Sequence, residues 1–370
     1  MTDISNSELL SYPFLSEPIA VTQQQWPDEL PPLLSISCIT YMHENFIRDA
    51  IEGFLMQQTN FKIEILIHDD ASTDKTADIV REYENKYPKL IFPTYQVENQ
   101  YRKNPKTSKN VEQPVRRGKY IAKCEGDDYW IDPLKLQKQV DFLEKNKEYG
   151  LVFTDVNILI QETGEFKNAV FHDKILPLRI NFTDHLVNRG FLAPCTWLCR
   201  REFMPNLKKN YCDGTFPWLL DVFMNSKIYY WDEVTTVYRL LEESASHSKS
   251  KKKTYDFRKG VFEIQKDYII KYNVAEEIKN KIFIETYIHL LEDAILFEDT
   301  DFIIEGQKYL QESPSNLMTI INDFYKTKKE YIRLKSDFES VVQSRRYRLG
   351  RVVLYPLSYI RSKFKKFNNV

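Results

Sequence analysis

From Leu33 to Ile160 the chain alternates two kinds of segment, and that alternation restricts its fold more than any other feature. "LLSISCITY" (33–41), "FKIEILIHDD" (61–70), "KLIFPTYQ" (89–96), "KYIAKC" (119–124) and "GLVFTDVNILI" (150–160) are short apolar runs, most of them rich in β-branched residues, as buried strands are. Between the first two, "NFIRDAIEGFLMQQT" (45–59) puts Phe46, Ala50 and Phe54 at helical spacing with Ile47, Ile51 and Leu55 beside them. "TDKTADIVREYENKYP" (73–88) predicts a second helix, capped by Ser72 and ended with the help of Pro88. Asp132 and Pro133 form an N-cap and first-turn pair for a third, "LKLQKQVDFLEKN" (134–146). Strands alternating with helices fold through right-handed crossovers into a mainly parallel sheet with helices on both faces. Ligands bind such sheets beyond the carboxyl ends of the strands. Two acidic clusters, "HDDASTD" (68–74) and "CEGDDYW" (124–130), directly follow predicted strands and so lie on that edge.

The rest of the chain divides by pattern. Residues 1–31 are polar and proline-punctuated and read as an N-terminal arm; 32–250 hold the α/β domain. In its second half "TWLCRREF" and "SKIYYWDEVTTVYRLL" read as strands and "PWLLDVFMN" as a short helix. Long helical patterns fill 251–340, a helical extension, and 341–370 form a basic amphipathic tail. The 52 basic and 53 acidic residues nearly cancel, so overall charge offers nothing to nucleic acid and any electrostatic function is local. Five cysteines (Cys38, Cys124, Cys195, Cys199, Cys212) sit mostly in apolar runs without metal-site spacing, which predicts reduced core thiols. No window approaches the ~20 apolar residues of a membrane span, and "MTDISNSELL" lacks a basic stretch followed by an apolar core, so a cytoplasmic location is expected.

"KCEGDDYW" (123–130) crowds three carboxylates into four residues, where they repel one another. A hard divalent cation with oxygen ligands relieves that repulsion, and it completes its shell with water and substrate phosphates. Asp127 and Asp128 are therefore candidates to carry a metal–diphosphate unit, the alternative being a solvated acidic loop.

Taken together, 33–76 and "EGDDYW" (125–130) resemble the family 2 glycosyltransferases of the GT-A fold. In that family the first strand ends in Thr/Ser-Tyr-Asn, the second in Asp-Asp-Gly-Ser-x-Asp, and an Asp-x-Asp motif binds metal. The likeness extends over about residues 33–240. It implies an α/β, GT-A (Rossmann-like), mixed but mainly parallel sheet flanked by helices, with a C-terminal helical extension. It also implies inverting transfer of a sugar from a nucleotide sugar, UDP-linked, to a hydroxyl of a glycan or lipid-linked glycan in surface-polysaccharide or glycoconjugate synthesis, with Mn²⁺ or Mg²⁺ as cofactor.

Residue by residue, the resemblance assigns Thr40, Tyr41 and Glu44 to the nucleotide pocket, with Met42-His43 standing where the family usually has Asn. Asp70 matches the aspartate that accepts a hydrogen bond from the nucleobase, and Ala71 replaces a common glycine, a small change. Glu125 and Asp127 face the donor's hydroxyls, Asp128 matches the metal-coordinating position, and His247 matches a histidine that related enzymes bring to metal or diphosphate; a surface histidine is the alternative. Arg116, Arg117 and Lys119 could approach the diphosphate or form a solvated turn. Counting back from Ser226 to the family's base position reaches Thr215. Asp213, two residues upstream, is the candidate catalytic base, with helix capping the competing reading; Asp221 reads as structural.

The tail segment "YRLGRVVLYPL" (347–357) is similar to the tails of many bacterial glycosyltransferases, which implies attachment to an anionic membrane surface at the inner face of the cell membrane. The helices of 251–340 would pack on the domain or mediate self-association into a homo-oligomer. Two rival functions remain at this stage. A nucleotidyltransferase would want a Gly-rich loop after the first strand, and "CITYMHENF" (38–46) has no glycine. A catalytically silent binding or assembly partner finds support in Thr215.

Overall fold

The computed structural model describes residues 12–103, 117–204, 209–242 and 250–312. In chain order its elements are β1 (Ile19–Ala20), β2 (Leu34–Thr40), α1 (Ile47–Leu55), β3 (Gln58–Thr59), β4 (Ile63–Asp69), α2 (Thr76–Lys86), β5 (Ile91–Tyr95), α3 (Gln100–Lys103), β6 (Tyr120–Lys123) and β7 (Tyr129–Trp130). There follow α4 (Lys135–Lys145), β8 (Tyr149–Ile160), β9 (Glu165–Lys167), α5 (Phe182–Asn188), β10 (Leu198–Arg200), α6 (Thr215–Asn225), β11 (Lys227–Leu240), α7 (Lys251–Lys271), α8 (Glu276–Leu296) and α9 (Thr300–Glu312).

One nine-stranded sheet runs β5-β4-β2-β6-β10-β8-β11-β7, with β9 beside β8. Strands β5, β4, β2 and β6 are parallel neighbours, β10 runs antiparallel to both β6 and β8, and β11 returns parallel to β8. The sheet is therefore mixed, as the resemblance implied. Every residue of β4 and all but Ile39 of β2 are buried, because helices cover both faces; this is why these strands read as continuous apolar runs. Chain order reverses between β2 and β6: the chain moves from β2 outward through β4 to β5, then crosses back to β6 on the other side. That switch point opens a crevice at the carboxyl ends of β2 and β6.

At the opposite, amino-terminal end of the same strands, Glu64 is 1 % exposed and holds the chain's return into β6. Its carboxylate accepts from Ser35 Oγ (2.6 Å), from the Arg117 backbone N–H (3.0 Å) and from Arg117 Nε (2.7 Å). A Cβ on Gly118 would lie 2.5 Å from the Ser35 nitrogen, so only glycine fits this crossing.

Two segments differ from the sequence reading. Within the expected arm, residues 12–31 pack on the domain: β1 pairs antiparallel with β3, and Tyr12 and Val21 are buried in the main core. Proline punctuation hid this, since the pairing is only two residues long. Helix α7 begins beyond the expected boundary at residue 250 yet belongs to the first compact unit, which extends to Thr286. Tyr268, Lys271 and Tyr272 of α7 all bond the Asp221 carboxylate, and Gln265 donates to the Leu186 carbonyl. A second unit begins at Tyr287, whose ring packs on Phe302 and Tyr309 with centroids 5.3 and 5.7 Å away. Residues 313–340 of the expected helical extension lie outside the described residues, as does the basic tail. No described helix is long and apolar enough to cross a membrane.

One lysine lies deep in the core. Lys135, fully buried at the start of α4, donates to Gln139 Oε1 (2.7 Å) and lies 4.6 Å from the centroid of the Trp130 ring. Burial pushes its ammonium down to about 7. The unfolded chain keeps this lysine protonated up to its ordinary pKa of about 10.4, so between pH 7 and 10 the unfolded state binds the extra proton and stability rises with pH. Lys135→Met keeps the stem packed and removes the titration. Its stability advantage over wild type should be largest at pH 7 and shrink by about 1.4 kcal/mol per pH unit toward pH 10. Urea unfolding of both proteins at pH 7, 8.5 and 10 measures this, and parallel pH dependences would refute it.

Candidate active site

Three strand ends meet at the switch point. The Cys124 N–H donates to the Ser37 carbonyl (3.2 Å), the Gly126 N–H to the Ile39 carbonyl (2.9 Å), and the Asp70 N–H to the Thr40 carbonyl (3.0 Å). These bonds extend the β6–β2–β4 ladder past its regular end and lay both acidic clusters side by side. Gly126 is required by close approach: a Cβ there would sit 2.6 Å from Thr40 Oγ1 and 3.0 Å from His43 Nδ1. Thr40 is fully buried, and neither its Oγ1 nor His43 Nδ1 has a hydrogen-bond partner.

One carboxylate oxygen from each of Glu125, Asp127 and Asp128 lies within 4.8 Å of the others; among the described residues this is the only such group of three that could hold a metal ion. The three differ in depth. Asp128 is 1 % exposed, and its Oδ1 accepts the Arg239 backbone N–H at 2.8 Å. The Asp127 side chain is 19 % exposed and faces His43, with Oδ2 3.9 Å from Nε2. Glu125 is more open and pairs with Lys123 at 3.2 Å. Burial raises the pKa of Asp127, countered by His43 and reinforced by Glu125, while burial and then repulsion from Asp127 raise Asp128 well above the carboxylate range. The site therefore crowds carboxylates where burial and mutual repulsion oppose their ionisation.

Arg239, near the end of β11, holds this loop from beneath. Its NH1 donates to the Asp127 carbonyl (2.7 Å), NH2 bonds the Asp49 carboxylate, and the guanidinium carbon stands 5.1 and 4.5 Å from the centroids of Phe46 and Tyr129. It is 7 % exposed. Neither Arg239 nor His43 was singled out as a site residue from the sequence. Arg239 shows there only as a charge inside an otherwise apolar strand, and His43 only as a departure from the family pattern.

On the β4 side, Asp70 is 5 % exposed and both its oxygens are engaged, by the backbone N–H groups of Gln100 (2.7 Å) and Tyr101 (3.1 Å). In this structure it fixes the first turn of α3. Glu44 likewise accepts the Lys75 N–H at 3.0 Å and braces the turn before α2, while Tyr41 is half-buried beside it. Ser72 does not cap α2. Its hydroxyl bonds Asp69 and receives the Met42 N–H (2.9 Å), and Asp74 caps instead, accepting the Thr76 N–H at 3.0 Å. Ala71 is small but not neutral: at φ 60° it occupies the left-handed region, where glycine has no Cβ penalty.

Asp213 caps α6 through the Thr215 N–H (2.8 Å) and pairs with Arg189 at 2.9 Å. Thr215 is the first residue of that helix. Asp221 is tied to α7, as its structural reading required. Arg117 and Lys119 precede β6, at the end of the strand away from the acidic loop, and pair with Glu64 and Glu144; the diphosphate reading fails for them. His247 and Arg116 lie outside the described residues. Cys38, Cys124, Cys195 and Cys199 are buried, and Cys212 is exposed.

The family model "Glycosyl transferase family 2" matches residues 35–208. A protein of Mycobacterium tuberculosis without assigned function is 42 % identical over 172 residues, covering 46 % of this chain and 47 % of that protein. The chain thus spans about half the length of the mycobacterial relatives it matches. The putative teichuronic acid biosynthesis glycosyltransferase TuaG of Bacillus subtilis is 29 % identical over 60 % of this chain and 86 % of its own. The UDP-Glc:alpha-D-GlcNAc-diphosphoundecaprenol beta-1,3-glucosyltransferase WfaP of Escherichia coli is 29 % identical over 59 % and 82 %. Among solved structures, Staphylococcus aureus TarS 1-349 in complex with UDP-GlcNAc superposes with a TM-score of 0.52 at 15 % identity, covering 77 % of this chain and 82 % of that one, a likeness of fold. With the carboxylate loop seated at the β2/β6 switch point of a sheet of the GT-A kind, residues 35–208 of the chain match glycosyltransferase family 2.

Proposed function

We propose that the chain is an inverting, divalent-cation-dependent glycosyltransferase that moves a sugar from a UDP-sugar to a hydroxyl of a glycan or lipid-linked glycan in bacterial surface-polysaccharide synthesis. The observation that carries this reading is the convergence of Glu125, Asp127 and Asp128 on the ligand edge of the sheet, braced by Arg239. The names of WfaP and TuaG support the donor and the product class.

Three carboxylate donors beside a partnerless buried hydroxyl fit a hard divalent cation. Bound there, the cation supplies positive charge to the departing diphosphate. Depth divides the labour among the carboxylates. Asp127, the partly open one, presents its oxygens to cation and donor; Glu125 meets donor hydroxyls; and Asp128, facing the cluster from behind, spends one oxygen on the Arg239 amide. Asp70 and the α3 turn it fixes form the base side of the pocket with Thr40, Tyr41 and Glu44. On the acceptor side Asp213 takes the hydroxyl proton, its cap and Arg189 pair holding it at the start of α6. His247 and the tail, placed at metal and membrane by the resemblance, complete the proposal from outside the described residues, as does a homo-oligomer.

Three substitutions separate these roles. Asp127→Asn should remove Mn²⁺-dependent UDP binding, measured by calorimetry, with little change in melting temperature, whereas Asp128→Ala should lower the melting temperature because it strands the buried Arg239 amide. UDP binding that stays metal-dependent in Asp127→Asn would overturn the assignment. Asparagine caps helices as well as aspartate does but cannot accept a proton. Asp213→Asn should therefore keep the wild-type melting temperature while kcat falls about 100-fold or more, and a wild-type kcat would confine Asp213 to capping.

A further inference from the structure

The loop after β2 carries a feature that the acidic cluster does not explain. His43 Nε2 stands 3.9 Å from Asp127 Oδ2, with side chains 17 % and 19 % exposed. That distance is too long for a hydrogen bond. It leaves room for an ion between them: donors each about 2.1 Å from a metal lie about 3.0 Å apart at a right angle and about 4.2 Å apart across it, and the observed separation falls between the two. The ring is fixed from its backbone, where the His43 N–H donates to Thr76 Oγ1 (2.8 Å), and from its side, where it meets Phe46 edge-on with centroids 6.2 Å apart. Its other nitrogen, Nδ1, is buried without a partner and faces Gly126, the residue between Glu125 and Asp127. The fully buried Thr40 hydroxyl, also without a partner, points at the same spot. An imidazole thus stands at the rim of the carboxylate group, beside Asp127 alone of the three, and the hydroxyl beneath the same glycine is left unsatisfied.

We propose that His43 is a nitrogen ligand of the divalent cation and makes the site select Mn²⁺-like transition metals over Mg²⁺. The proposal rests on the cation-dependent reading above and adds to it a ligand from the β2–α1 loop. Mg²⁺ takes oxygen donors almost exclusively, whereas imidazole suits first-row transition metals, so one nitrogen among carboxylates tips the preference. The same placement couples the cation to the nucleotide pocket, since His43 is three residues from Thr40 and is bonded to the first residue of α2.

The test uses the full chain with UDP and Mn²⁺ as probes. Pulsed EPR of the wild-type complex should show the ¹⁴N coupling of an imidazole on Mn²⁺, and His43→Asn should abolish it. Titrations that follow free Mn²⁺ by EPR, with Mg²⁺ as competitor, should show Mn²⁺ binding weakened about tenfold or more in His43→Asn and Mg²⁺ binding changed less than about threefold. A wild-type complex without ¹⁴N coupling, or a coupling that survives the substitution, overturns the proposal, as does an unchanged ratio of the two affinities. Asp127→Asn run in parallel distinguishes the two levels: if it binds Mn²⁺ as wild type does, the cation reading itself fails, and if it alone loses Mn²⁺, only His43 is dismissed. The wild-type spectrum needs no variant to fold.

Discussion

The contact on which the site depends is that of Arg239 with the acidic loop. Three carboxylates in four residues would splay apart if left to themselves. Arg239 opposes this from below with its backbone N–H on Asp128, its guanidinium on the Asp127 carbonyl and on Asp49, and two aromatic rings against its face. The arrangement is asymmetric. Arg239 spends its backbone donor on the deepest carboxylate and its charge on a carbonyl and a neighbouring helix, so Asp127 is held in place without its carboxylate being paired by the arginine. A loop neutralised by its own arginine would have little left to attract a cation.

The position of that loop follows from the order of the strands. Because β6 enters beside β2 instead of beyond β5, the chain ends of β2 and β6 are nearest neighbours, and the two short backbone bonds from Cys124 and Gly126 carry their pairing into the loop. Gly126 permits it, since no side chain fits between its Cα and Thr40. At the other end of β6 the buried Glu64 and Gly118 perform the matching task, fixing where the strand begins. The strand between is four residues long, so an error at either end would displace the carboxylates by most of a residue spacing.

What could be read from the sequence, and what could not, divides along the same lines. Strands β2, β4 and β8 were legible because both faces are covered and the apolar runs are unbroken; the acidic clusters were legible because they end such runs. Strands β7 and β9 are two or three residues long and have no periodicity to read, whereas the equally short β10 lies within "TWLCRREF", which did read as a strand. Among adjacent aspartates sequence cannot say which one faces outward. The resemblance put the metal on Asp128; in the structure Asp128 is buried and Asp127 lies at the rim, and both belong to the group of three carboxylates. Asp70 and Glu44 were found as residues, but their engagement by backbone N–H groups depends on loops whose course no pattern discloses. Ala71 looked harmless by size, and its cost lies in a backbone angle that size does not report.

Arg239 was the hardest to see, because its partners Asp128 and Asp49 are 111 and 190 residues away along the chain. That separation has a physical consequence. Strands β2, β4, β5 and β6 can form their parallel ladder from the first third of the chain, and with it the crevice. The carboxylates are not braced, however, until β8 has passed through the sheet and β11 has paired with both β8 and β7. Contacts of such high sequence separation form late, since loop closure must precede any stabilisation they bring. Until they form, the acidic loop has neither its arginine nor the pairing of β7 to hold it, and mutual repulsion keeps it open. The acidic loop is thus braced only by the last strand of the sheet, and its geometry depends on the whole sheet, through β11, being in place.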